Sequence, residues 1–103
     1  MIIYNVTCSM DSSISEDWIK WMRKIHIPDV MKSRCFQTAQ INKVISEKEE
    51  SKTYAVQYLC KGIKDLHKYQ VYYADKLQKD HADRYGNKVV AFRTLLEVVE
   101  SFE

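Results

Sequence analysis

His81 and Arg93 stand where apolar residues are expected, and His26 falls at the edge of an apolar helical stripe, beside Ile19. His81 falls between Leu77 and Tyr85 on the face of an expected helix that must pack on a sheet. An imidazole there is either a satisfied core group or a general base or ligand contact shielded in a cleft between helix and sheet. His26 closes the first expected helix. It is a surface residue, a positive charge favoured by the helix dipole, or a second site group. Arg93 lies in the most apolar strand of the chain. A buried guanidinium there needs a carboxylate, such as Glu97 or an acid of a second copy, or an anionic ligand. Asn5 sits mid-strand, where asparagine is disfavoured. His26 and His81 are therefore the candidate catalytic residues. Asn5, Trp18, Trp21, Tyr58, Tyr85 and Arg93 are the candidate ligand-binding residues, some subset of them lining a small-molecule pocket beside Trp18 or Trp21.

Other chemistries lack their residues. Cys8, Cys35 and Cys60 are widely spaced with no CxxC pair. Neither a structural zinc site nor a disulfide framework is expected, and a reducing cytoplasm fits. No P-loop, GxGxxG, HExxH or nucleophile elbow is present, so no metal and no cofactor is expected.

The elements that must hold these residues follow from periodicity. Ile14, Trp18, Trp21, Met22 and Ile25 form one helical stripe, opposed by Glu16, Asp17, Lys20, Arg23 and Lys24. Ser13 followed by Glu16 predicts a capping box and a start near Ile14. Pro28 predicts an end near His26, with Pro28–Met31 as one further turn. Strands are expected over Ile2–Thr7, Cys35–Ile45 and Thr53–Cys60, the last two joined by the polar loop Glu47–Ser51. A second helix should run from Ile63 to about Tyr85, stopped by Gly86-Asn87. Val89–Val99 is apolar on both faces and reads as a strand buried on both sides, followed by a short tail.

The order β-α-β-β-α-β is a ferredoxin-like α+β arrangement, with two helices on one face of a four-stranded antiparallel sheet. A chain of 103 residues is one domain, residues 1–103, able to bury one core. Leaving apolar strands open on the second face is costly, so a homodimer with the two sheets facing one another is expected. Net charge is +2, too small to imply a nucleic-acid partner. Tyr4, Tyr54 and Tyr58 lie where RNA-recognition modules stack bases, but the glycine-and-aromatic signature of those modules is missing. No apolar run is long enough to span a membrane, and MIIYNVTCSM reads as a strand, not a signal peptide. Partners of either kind are not expected, and a cytoplasmic location is.

Taken end to end, the segments MIIYNVT, WIKWMRKIHIPDVM, CFQTAQI, YAVQY and YADKLQKDHADRYGNKVVAFRTLLEVV resemble a domain-of-unknown-function family of short bacterial proteins common in Bacteroidetes. More distantly, the layout is similar to the dimeric α/β-barrel superfamily, which includes cofactor-independent monooxygenases and haem-degrading monooxygenases. That resemblance implies sheets closing into a barrel at a dimer interface, and a ligand cleft between helices and sheet. The haem degraders carry an asparagine on the first strand, and a tryptophan and a histidine on the second helix. Asn5 and His81 match in rough placement; no tryptophan stands near Val71 and Tyr72. Three functional classes follow. One is a small-molecule-binding protein or cofactor-independent enzyme, the second a haem-handling protein with His81 on the iron, the third a structural dimerisation module.

Overall fold

Strand β1 spans Ile2–Asp11 and pairs antiparallel with β3, Ser51–Cys60, on one side and β4, Val89–Glu97, on the other. Strand β2, Thr38–Lys43, pairs with β3, giving the sheet order β2-β3-β1-β4. The structure is a computed structural model in which residues 1–46 and 50–103 are described. Most of the expected Glu47–Ser51 loop thus lies outside the described residues, while Ser51 itself opens β3.

The strands depart from their expected bounds for local reasons. β1 continues through Ser9, Met10 and Asp11 because β3 offers partners there, including a 2.8 Å hydroxyl pair between Ser9 and Thr53. Cys35 and Phe36 are buried but belong to the connection before β2. Ser33 Oγ turns the chain there, donating to the Val30 carbonyl and accepting from the Cys35 N–H. Arg34 takes a left-handed backbone, φ 61°.

The first helical rod is longer than Pro28 predicts. Helix α1, Ser12–Trp21, runs into a π-helical turn, Met22–His26, and on into α2, Ile27–Met31. Its cap is Asp11, not Ser13. The Asp11 carboxylate accepts from the Ser13 N–H at 2.9 Å and the Ser13 hydroxyl at 2.7 Å. The π-turn admits the proline: the Ile27 N–H reaches back to the Met22 carbonyl, five residues away, and the ring follows where an N–H is not required.

That turn also resets the stripe. One extra residue per turn shifts everything after it by about 100°. Ile25, expected to point inward, is 50% exposed, and His26 occupies the inward phase beside Trp21. Val30 follows in phase and is buried.

The second helix is two pieces, α3 (Ile63–Tyr72) and α4 (Ala74–Tyr85), broken at Tyr73, whose φ of −127° is not helical. The inward residues are Leu66, Tyr69, Ala74, Leu77 and Tyr85, whereas Ile63 and Gln70 are exposed. Gly86 ends α4 at φ 56°, a conformation that favours glycine.

All helices lie against the face formed by Tyr4, Val6, Cys8 and Met10 of β1 and Tyr54, Val56, Tyr58 and Cys60 of β3. Tyr4, Tyr54 and Tyr58 are therefore covered, not displayed for base stacking. The other face carries Ile3, Asn5, Thr7 and Ser9 of β1 beside Leu96, Thr94, Phe92 and Val90 of β4. β1 thus turns polar outward. β4 is an edge strand and is not buried on both sides within one chain: Val90 is 66% and Phe92 58% exposed.

Candidate functional site

Trp18 Nε1–H donates to Nε2 of His81 at 2.9 Å. An indole nitrogen can only donate, so Nε2 carries the lone pair and, in the neutral ring, Nδ1 carries the proton. Trp18 is fully buried, and its ring also packs on Tyr54 at 5.1 Å. Trp21 stacks on His26, with centroids 4.9 Å apart and planes 24° apart. Tyr85 meets Trp21 edge-on at 5.6 Å. The two imidazoles meet edge-on, with centroids 5.9 Å apart and planes at 63°.

Burial favours the neutral form of both rings. It lowers the His26 pKa to about 4, assisted by the neighbouring His81 and by Arg93, against the pull of Asp29 and Asp80. His81 is lowered by burial first and by the Arg93 charge second. Burial likewise pushes the Cys8 thiol up to about 11, with Arg93 opposing. The Tyr58 and Tyr69 hydroxyls are pushed up by burial and by neighbouring ionisable groups, chiefly other tyrosines.

Beneath the imidazoles lies a cavity of about 30 Å³ between helices and sheet. His26, His81 and Gln78 line it from the helices; Tyr4, Cys8, Tyr58 and Arg93 line it from the sheet, with Tyr69 beside them. A cluster of Tyr4, Phe36, Tyr58 and Tyr69 rings, with centroids 4.8 to 6.0 Å apart, fills the rest of the cleft and keeps it small. His26 also lines an outer groove of about 410 Å³ between the π-turn and α4, with Trp21, Ile25, Asp29, Asp80, Asp83 and Arg84. It therefore stands between the interior and that groove.

Of the candidate residues, His26, His81, Tyr58 and Arg93 come together on the cavity. Trp18 and Trp21 hold the imidazoles and do not line it. Tyr85 is a tie between helices: its hydroxyl donates to Asp17 at 2.9 Å and accepts from Arg84 at 3.3 Å. Asn5 is on the opposite face of the sheet, because β1 alternates and the cavity belongs to Tyr4, Val6 and Cys8. Its Nδ2 donates to Thr7, and its buried Oδ1 has no partner among the described residues.

Arg93 is neither buried nor ion-paired with Glu97. It is exposed at the edge strand, and its Nε–H donates to the Tyr4 hydroxyl at 3.0 Å. Tyr4, Tyr69 and Gln78 are site residues the sequence reading missed. Tyr4 shares its strand face with Cys8, which was a usable signal. Tyr69 was hidden by the break at Tyr73, which rotates α3 relative to α4.

With Nε2 of His81 held by Trp18, the imidazole able to accept a proton is that of His26. His81 offers a donor at Nδ1. A haem does not fit these residues: a macrocycle finds no room in about 30 Å³, and the usual iron-binding nitrogen of His81 is already bonded. Among the described residues no group of three or more His, Cys, Asp or Glu is arranged to hold a metal ion.

The same architecture recurs in solved structures at low identity. A dimeric ferredoxin-like protein from an uncultured marine organism superposes with TM-score 0.77 at 13% identity, covering 100% of this chain and 99% of that one. A Deinococcus radiodurans protein provisionally named as an antibiotic biosynthesis monooxygenase gives 0.73 at 12%, covering 100% and 97%. An ethyl tert-butyl ether D (EthD) family protein from Bacillus halodurans gives 0.66 at 10%, covering 96% and 100%. At such identities the likeness is one of fold. No curated protein matches the sequence. A family model described as a domain of unknown function (DUF4286) matches residues 1–99, nearly the whole chain, and the protein belongs to that family.

Proposed function

We propose that the protein is a homodimer, paired through the open faces of its sheets, that binds a small molecule in the cleft between helices and sheet. The observation that carries the binding half is convergence: two imidazoles, an amide, three phenols and a guanidinium meet on one interior cavity. Pairing is supported by Val90, Phe92 and Leu96, exposed side by side on β4, and by the naming of a similar structure as dimeric. Turnover without a cofactor would use His26 as the base, since His81 Nε2 is occupied. The unpaired Cys8, Cys35 and Cys60 support a reducing, cytoplasmic setting in a bacterial cell. No nucleic-acid or membrane partner is proposed, given the covered tyrosines and the net charge of +2.

A second reading, a dimerisation module with no ligand, draws on the size of the cavity. About 30 Å³ holds a water, whereas organic ligands occupy pockets of roughly 300 Å³ or more. Native mass spectrometry of protein purified from a bacterial lysate separates the two. The expected result is a dimer carrying added mass. A clean dimer favours the second reading, and a monomer overturns the pairing.

A further inference from the structure

Among the described residues, Arg93 is the one formal charge in the wall of the interior cavity, and no aspartate or glutamate lies there. What sets Arg93 apart is its place, since it is a cation on the wall of an interior cleft and not on the open surface. Lys32, Lys76, Lys79 and Arg84 each meet a carboxylate within 3.6 Å. Arg93 does not. Its single side-chain hydrogen bond among the described residues is Nε–H to the Tyr4 hydroxyl, so both Nη groups are left without a protein acceptor.

The bond to Tyr4 has two effects. It fixes the guanidinium plane at the edge of β4. It also uses the tyrosine oxygen as acceptor, which leaves the phenolic proton free to be donated. Tyr4 is buried while Arg93 is exposed, so the pair spans the cavity mouth from inside to outside. The interior adds a further donor, Nδ1–H of His81, whose tautomer Trp18 sets. The charge is felt across the cleft: Arg93 depresses the basicity of His26 and His81 and opposes the rise of Cys8. A wall that bears one cation and no carboxylate disfavours cationic ligands and favours an anionic acceptor through charge-assisted hydrogen bonds.

Resting on the reading of this cleft as a ligand site, we infer that Arg93 and Tyr4 form its recognition point for an oxyanion, the carboxylate or phenolate end of a small ligand. The head group takes the place of water in the small cavity, and the body of the ligand lies outward along the edge of β4. Planar bidentate geometry suits the guanidinium, so lysine would not replace it fully.

The test uses benzoate and its neutral isostere benzamide as probes, followed by 1H–15N NMR shifts of the tryptophan indoles and of Arg93. Saturable benzoate binding is expected, with benzamide weaker by at least about tenfold, the size of one charge-assisted hydrogen bond. R93Q should remove that preference and R93K restore it only in part, both with native indole signals because Arg93 is exposed. Y4F should weaken benzoate specifically. Equal binding of benzoate and benzamide, or an undiminished preference in R93Q, overturns the oxyanion site and leaves the cleft reading standing. No saturable shift with either probe, on protein that also carries no added mass, overturns both.

Discussion

Trp18, fully buried, donates its indole N–H to His81. The bond joins α1 to α4 across 63 positions of sequence, and it decides which imidazole nitrogen holds the proton. W18F keeps most of the ring volume but deletes the donor. It should cost about 1–3 kcal/mol in urea denaturation, because a buried acceptor is left unmatched. The 15N spectrum of His81 should show the Nδ1–H tautomer in the native protein and lose that bias in the variant. His26 carries the acid sensitivity. Its folded pKa, about 4, lies below the ordinary value of 6.5, so the unfolded chain binds protons first as pH falls. Stability from this group is complete above about pH 6.5 and drains away toward pH 4, by an amount of order 2–3 kcal/mol. The urea midpoint should therefore fall over that interval, and H26Q should flatten the fall. A midpoint independent of pH in the wild type would contradict the buried, neutral state of His26.

At the level of elements, periodicity located most of the frame, and local chemistry the sequence does not advertise moved the rest. The Ile-, Val- and Tyr-rich start of the chain and the alternation of Tyr54, Val56, Tyr58 and Cys60 place the central strands, and the helical spacing of Leu77, His81 and Tyr85 turns His81 inward as found. His26 entered by a route that no 3.6-residue pattern contains. The π-turn exchanged it with Ile25, and Pro28, which reads as a stop, instead follows the widened turn. The cap was misassigned because Ser13 and Glu16 match a known box, yet Asp11 sits one residue before the helix and bonds Ser13 twice. The two assignments make opposite forecasts. D11A should lower the thermal midpoint and raise the fraying of α1 seen by amide exchange, while E16Q should change neither. An apolar strand reads as buried on both sides, which would bury Arg93; the sheet order instead puts that strand at an edge.

Across the whole molecule, the helices cover one face of a sheet whose other face ends in an apolar band on β4. F92E places a charge in the middle of that band. Under the proposed pairing, light scattering should report a dimer for the native chain and a monomer for the variant, with circular dichroism unchanged, since Phe92 is 58% exposed within one chain and contributes little to its own core. β4 also has a double employment. Phe92 and Thr94 point to the open face, and Arg93 between them points to the cleft, so neighbouring residues on one backbone reach both the proposed pairing face and the proposed ligand site. Any ligand that displaces this strand must displace the proposed pairing surface with it. Thermodynamic reciprocity then makes the effects equal: whatever factor an oxyanion adds to the association constant, association adds to the affinity for the oxyanion. Occupancy would rise with protein concentration at fixed ligand, and diluting the protein through its dissociation constant while titrating benzoate should reveal it. A strand of nine residues would in that way let the cell's supply of a small acid set how much of the protein is assembled.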